Sequence, residues 1–401
     1  MGVVSATCCA YLFPFQDTYG ADTILKRSGV ADLKLHPGKA PHWLVKRMMP
    51  MASAVCEFIV EEYGTLELLK RLSDPIYFQA LSNALGYDWD SSGSTTVTCG
   101  VLKSVLTFEK HNMIALGGKG RASLKTPQQL LALHDFGLDG AGLADCSRII
   151  AKVDNAAIQD GYQLYQHVFF VDAEENWTVV QQGMNDTTDD ARRYHWSSKN
   201  VKDFIEEPHT GMISGRISDT TLDMTSTTSD ECRKTSVDVA QENPVRVRRH
   251  FENLKPYGET TLLPWLEDGG NIIQLPAYKV IPRRMDWRGV RRAYETQPRD
   301  YEELIRINGI GPATVRGLAL ISEMIYGSPP SWSDPVRMTF AFGGKDGVPF
   351  PVPRKAYDEA IRFMEEALQE SRLGRPDKLR ALKRLKKYAP PFIKDSATEA
   401  A

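Results

Sequence analysis

Apolar positions recur at helical spacing from Trp43 to Leu72, and Tyr63–Gly64 interrupts them, so the pattern predicts a helix, a break and a second helix. Another short helix follows over "DPIYFQALSNALG". The glycine- and hydroxyl-rich "DWDSSGSTTVTCG" reads as a capping and turn segment that leads into a helix near Val101–Phe108. "MIALGGKGRASLKTP" is a short apolar segment running into a glycine turn. A long helix is predicted over Ser147–His167, because Ile150, Val153, Ala157, Leu164 and Val168 share one stripe. A β-hairpin comes next: "VFFVD", a polar turn, then "WTVVQQG".

Between Ser214 and Asn243 the periodicity fades and Ser, Thr and Asp dominate. Such a composition buries little, so the stretch reads as a linker or long surface loop. The second half passes through basic segments into two helices joined at Gly309–Gly311, and it closes on amphipathic helices as far as Tyr388. The expected fold is mostly α with a small β element, in the α+β class. Residues 1–24 are an extension and 25–213 an α+β domain with a candidate active site. Residues 214–243 are the linker, 244–360 a helix-hairpin-helix DNA-binding region, and 361–401 the C-terminal helices and tail.

With 401 residues the chain is long enough for two or three domains. Its net charge of −2 gives no general pull toward nucleic acid or membrane. Locally the second half is basic: "RVRRH" at Arg246–His250, "IPRRMDWRGVRR" at Ile281–Arg292 and "KLRALKRLKK" at Lys378–Lys387. One such run is usually a solvated face; three around one hairpin point to a polyanion. The six cysteines form no CxxC pair, so a zinc site or disulfide framework is not expected and reduced cytoplasmic thiols are. No apolar run reaches the roughly 18 residues that a membrane helix needs, so no membrane partner is expected. The first residues lack a basic n-region and a long h-region, and make a poor signal peptide.

The stretch Ile307–Gly327, "INGIGPATVRGLALISEMIYG", carries the clearest signal. Gly309 and Gly311 permit a tight turn and a close backbone approach. Ile310 between them plugs the space between two helices, and Pro312 suits a first helical turn. The amides of the turn and of the following helix N-terminus then face outward, where an anion satisfies them. This stretch resembles helix-hairpin-helix DNA-binding motifs. The resemblance implies sequence-independent binding of phosphates through Gly309, Ile310 and Gly311, with Thr314 and Arg316 beside them. Lys119, Arg192 and Arg193 are further candidates for nucleic-acid contact. DNA is the expected partner; RNA shares the phosphate and stays open.

In DNA glycosylases of the helix-hairpin-helix superfamily a catalytic Asp follows the hairpin, and Asp334 in "PSWSDP" stands at about that distance. A carboxylate there would stabilise a sugar cation as the base leaves. Ala313 stands where bifunctional members carry a Schiff-base lysine, so lyase chemistry by that route is not expected. The setting of Asp334 before Pro335 equally suits a turn or cap.

The first half holds its own constellation. Asp160 falls on the apolar stripe of the predicted helix, where a carboxylate needs a partner or a use. Lys152, Asn155, Gln159, Tyr162 and Gln166 form an adjacent polar face, with His167 at its end. The hairpin adds Asp172, Gln181 and Gln182. The expected catalytic set is Lys152, Asp160, Tyr162, His167, Gln182 and Asp334. Asp160 and Asp172 are the candidate ligands for a divalent metal, Mg²⁺ or Mn²⁺, that would activate water for phosphodiester cleavage. The strand pattern of a nuclease core is not met, since "VVQQGM" has Gln and Met where Glu and Lys are wanted. There is no Walker A sequence, G-x-G-x-x-G or G-x-S-x-G, so nucleotide cofactors and a serine-hydrolase elbow are not expected.

The segments "KRSGVADLKLHPGKAP", "LSDPIYFQALSNALGYDWDSSGSTT", "KVDNAAIQDGYQLYQH", "ARRYHW" and "FAFGGKDGVPFPV" resemble a prokaryotic family termed domain of unknown function 763, over Leu25 to Tyr357. That resemblance implies no activity. The residues point to a DNA repair or processing enzyme, either a nuclease or a base-excision glycosylase. The alternative is a non-catalytic DNA-binding adaptor that recruits a protein partner through its C-terminal helices.

Overall fold

A computed structural model describes residues 27–30, 33, 35, 40–87, 92–218, 220–258, 281–336 and 354–388. The expected extension over 1–24 and the "FAFGGKDGVPFPV" segment lie outside them.

The chain opens with strand β1 (Arg27–Val30) and helices α1 (His42–Tyr63), α2 (Thr65–Leu72), α3 (Pro75–Leu85), α4 (Ser92–Val105) and α5 (Phe108–His111). Gly64 breaks α1 from α2 at φ +85, as its position in the sequence predicts. Strand β2 (Met113–Lys119), helix α6 (Thr126–Leu131) and helix α7 (Gly140–Lys152) follow. Next come short β3 (Ile158–Gln159), then β4 (Gln163–Asp172), β5 (Trp177–Asn185), β6 (Asp190–Ser197), β7 (Gly211–Ser214) and short β8 (Leu222–Asp223). Helices α8 (Asp230–Ala240), α9 (Pro244–Gly258), α10 (Trp287–Thr296), α11 (Tyr301–Arg306), α12 (Pro312–Tyr326), α13 (Arg354–Glu370) and α14 (Arg375–Tyr388) complete the described fold.

Six strands form one sheet in the order β1-β7-β6-β5-β4-β2, antiparallel except for the β1–β7 pair. Helices cover both of its faces, so its central strands are buried along most of their length on both sides. Val168, Phe170, Val180 and Ile213 face one core, built with α1 to α4, α13 and α14. Phe169, Val171, Val179 and Trp196 face the other, built with α7, α8 and α10 to α12. The α+β class holds, and the expected hairpin is the β4–β5 centre of this larger sheet.

Two expectations need correction. The helix predicted over Ser147–His167 ends earlier: α7 stops at Lys152, a single wide π-turn spans Val153–Ala157, and Gln163–Asp172 is strand. The spacing from Ala157 to Leu164 and Val168 mimics a helical stripe, yet Asp160-Gly161 is a turn, with Gly161 at φ +88. The supposed linker over 214–243 contains β8 and α8, and about half of its described residues are buried. Its hydroxyls and carboxylates serve turns: Asp223 Oδ1 accepts from the Thr225 amide and hydroxyl, and the Ser229 hydroxyl donates to the Asp223 carbonyl. Cys232, Val237 and Ala240 of α8 meanwhile join the core that holds α12.

Helices α13 and α14 bury Met364, Ala367, Leu368, Ala381 and Leu385 in the same core as α3.

Candidate nucleic-acid interface

Helix α11 begins on Asp300, whose carboxylate accepts from the Glu303 amide, and it runs only to Arg306. Ile307 is extended, Gly309 stands at φ +92, and Ile310 is buried to 1% exposure. Gly311 caps α12 at φ −108 in extended geometry, with Pro312 in the first turn. The two glycines therefore serve different ends. A Cβ on Gly309 would meet Arg292 Nη2 at 2.6 Å, Asp286 Oδ2 at 2.8 Å and Gly289 Cα at 2.9 Å. A Cβ on Gly311 would meet nothing within 4 Å. Neither packing nor backbone conformation calls for glycine at 311, so what its small size provides is open space above the turn.

The turn is polarised. Ile307 O accepts from the Ile310 amide at 3.2 Å and from Lys152 Nζ at 2.6 Å. Asn308 O accepts from Arg292 Nε at 2.7 Å, and Pro312 O from Gln159 Nε2 at 2.8 Å. Its carbonyls are thus held by side chains from α7, β3 and α10. The N–H groups of Gly309, Gly311 and Ala313 meet no acceptor among the described residues. Unpaired amides beside satisfied carbonyls at a helix N-terminus are groups that an anion could satisfy.

Helix α10 lies against this turn. Asp286 caps it, accepting from the Arg288 and Gly289 amides, while the Asp286 amide donates to Thr314 Oγ1 at 3.1 Å. Gly289 brings the α10 backbone onto Gly309. Arg283 and Arg284 ahead of α10 and Arg288 and Arg291 on it are exposed. The basic run was legible as charge; the part played by Asp286, Gly289 and Arg292 was not, though an Asp three residues before a Gly in a basic helix was its trace.

Other residues expected to touch nucleic acid stand elsewhere or are bonded within the chain. Thr314 is buried and ties α10 to the turn. Arg316 Nε donates to Gln159 Oε1 at 2.8 Å, and its guanidinium lies over Trp332. Lys119 is exposed at the end of edge strand β2, over the Tyr165 ring. Arg192 and Arg193 are fully buried, on opposite faces of the sheet, so neither is a phosphate contact.

Apart from Lys152, the expected catalytic residues are spread over three separate buried networks. Arg192 lies between two carboxylates, Asp160 Oδ2 at 2.8 Å and Asp334 Oδ2 at 2.6 Å. Burial alone would lower the pKa of the Arg192 guanidinium; Asp160 and Asp334 outweigh it and raise that pKa. Asp160 also accepts from the Tyr194 hydroxyl and the Tyr162 amide, and Asp334 from the Ser218 and Val336 amides. The Tyr162 ring lies against Arg192, and its hydroxyl accepts from Ser214 Oγ. On the same face, His167 bonds Ser147 Oγ at 2.9 Å and Gln181 Oε1 at 2.6 Å. Gln181 passes the chain to Asp154, which also meets Trp196 and His209. On the other face Gln182 bonds Thr95, Tyr165 and the Ser92 carbonyl.

The metal pairing also needs correction. Asp172 accepts from Thr65 Oγ1 and from the Asn176 amide in a turn at the end of β4, while Asp160 precedes the other end of that strand. The two carboxylates are thus engaged at different places along β4. No group of three metal-ligating side chains gathers among the described residues.

Lys152 alone of the expected catalytic set lies at the hairpin. It is half-buried, and burial lowers its pKa to about 8.

A family model described as "Protein of unknown function (DUF763)" matches residues 29–352, a span that takes in the sheet, the π-turn and the hairpin together. No curated protein and no solved structure matches the chain. The protein therefore belongs to the DUF763 family.

Proposed function

We propose that this protein binds DNA by its sugar–phosphate backbone, with the α11–α12 turn and the arginines of α10 as the gripping surface. The polarised turn carries the reading: free amides at Gly309, Gly311 and Ala313 above carbonyls already occupied. The open space at Gly311 and the exposed Arg284, Arg288 and Arg291 support it. Phosphate contacts of this kind position a protein on DNA without reading bases. A role in DNA repair or processing follows as the setting in which such grip is useful.

Between a hydrolase and a non-catalytic adaptor, one observation favours the adaptor. Asp160, Asp334 and Asp172 each direct their oxygens to donors of the chain itself, and the first two neutralise Arg192. The test uses labelled single-stranded, duplex, forked and abasic DNA and duplex RNA, with binding followed across salt and cleavage followed with Mg²⁺, Mn²⁺ or EDTA. Salt-sensitive binding that falls at least about tenfold in Gly311→Val, with unchanged melting, is expected. Absence of binding to every DNA at low salt would overturn the proposal. Metal-dependent cutting would restore the hydrolase.

A further inference from the structure

Lys152 is the last residue of α7 and lies far in sequence from the hairpin, yet its Nζ sits 2.6 Å from the carbonyl of Ile307 at the base of the turn. The residue is half-buried and the contact is direct. An ammonium has three donors. Among the described residues Lys152 Nζ makes this one hydrogen bond, so two N–H groups remain. They stand at the same turn whose amides are free.

Its placement is built from three sides. Asp154, inside the π-turn, is bonded to His209, Gln181 and Trp196 of the sheet region, which fixes that turn on the sheet. Gln159, beyond the π-turn, holds Pro312 O with its nitrogen and Arg316 with its oxygen. Arg306 of α11 pairs with Asp145 of α7 and with Glu302. The hairpin is thus mounted on α7 and the π-turn, with Lys152 at the mounting point.

We propose that Lys152 is a phosphate-binding residue of the hairpin, an ammonium supplied to the turn by another element of the fold. This rests on the reading of the hairpin as a DNA-binding surface. One cation held at the turn adds a point charge to the weak dipoles of the amides. Holding it by a carbonyl also fixes it in advance, so little side-chain freedom is lost on binding.

The ordinary lysine would be charged at any physiological pH. Burial lowers the pKa of this one to about 8, so it titrates within reach of experiment. The charged groups on the elements that meet there are Arg148 and Asp145 on α7, Arg306 and Glu302 on α11, and Arg316 on α12, while burial alone accounts for the shift of Lys152. Arginine keeps its charge throughout. Lys152→Arg therefore serves as the control that retains a cation and removes the titration.

Anisotropy of labelled duplex DNA, measured on the full chain across KCl at pH 7 and pH 9, tests this. Wild type is expected to bind more weakly at pH 9, and Lys152→Arg to show a smaller change. Lys152→Met is expected to weaken binding at pH 7 and to reduce the salt slope by about one, as loss of one phosphate contact does. A Lys152→Met protein with wild-type affinity and slope overturns the assignment and leaves the hairpin reading standing. Weaker binding with an unchanged slope and no recovery in Lys152→Arg overturns it too, since that marks a prop for the turn only. Should Lys152→Met fail to fold, the pH comparison between wild type and Lys152→Arg decides alone, and equal pH responses refute the role. Wild type that binds no DNA removes the hairpin reading and this inference together.

Discussion

Gly289 and Gly309 meet backbone to backbone: a Cβ on Gly289 would stand 2.5 Å from both the carbonyl carbon and oxygen of Gly309. This contact sets how closely the arginine helix approaches the turn. Gly289→Ala must push α10 away or strain the turn, at a cost of about 1–3 kcal/mol as overpacking goes. A urea melt should show the loss, and DNA affinity should fall beyond what partial unfolding explains. Unchanged stability and affinity would mean that the close approach is dispensable.

The exposed arginines of the α10 region should act as separable charges. Arg284→Ala and Arg288→Ala are each expected to leave the fold intact and to reduce the salt slope of binding by about 0.9 if each neutralises one phosphate. Arg292→Ala should do more, because its Nε also holds the Asn308 carbonyl. Salt titrations of the three variants separate these outcomes, and three identical slopes would contradict the assignment.

Asp334 should prove a structural residue. Both of its oxygens accept, from Arg192 and from the Ser218 and Val336 amides, so an amide NH2 in place of one oxygen would face donors, and each buried donor left unpaired costs about 1–3 kcal/mol. Asp334→Asn is expected to be strongly destabilised in a denaturant melt. A variant as stable as its parent that has lost a base-releasing or strand-cutting activity would return Asp334 to the role of reacting group.

Acid should loosen the centre of the sheet. Burial lowers the pKa of both His167 and His195, that of His195 well below the ordinary histidine value. The unfolded chain then takes up these protons first, so their contribution to stability is complete above the usual histidine pKa, near 6.5, and is lost as pH falls below it. Thermal melts from pH 7.5 to pH 5 should show a declining Tm. In His195→Asn the decline should be shallower, since one of the two groups no longer titrates; an equally steep decline would place its cause elsewhere.

Local signals were readable in the sequence. The Gly64 break, the α3 helix ending at Gly86 and the Gly309 turn each follow from a residue acting on its own neighbours. The burial of Asp160 was readable only by way of a helical stripe that the structure does not form. Its partners were not: Arg192 is 32 residues away, and the Arg192–Asp334 pair spans 142. Such pairings are decided by strand order, which no local pattern encodes. "ARRYHW" misled for a related reason. Arginines usually mark solvent, whereas here a sheet covered on both faces buries two adjacent ones in opposite directions. At the hairpin, the turn itself was legible, but the donors occupying its carbonyls come from α7, β3 and α10 and became visible only in three dimensions.

The π-turn over Val153–Ala157 has the character of a phase adjuster. Each residue of an α-helix advances the chain by about 100° and 1.5 Å, so dropping one from this turn would swing everything beyond it by more than a quarter revolution. Lys152, before the turn, and Gln159, after it, address carbonyls of one loop only because that count is kept. Change in this segment should therefore be accepted at the exposed Asn155 far more readily than in the number of residues it contains.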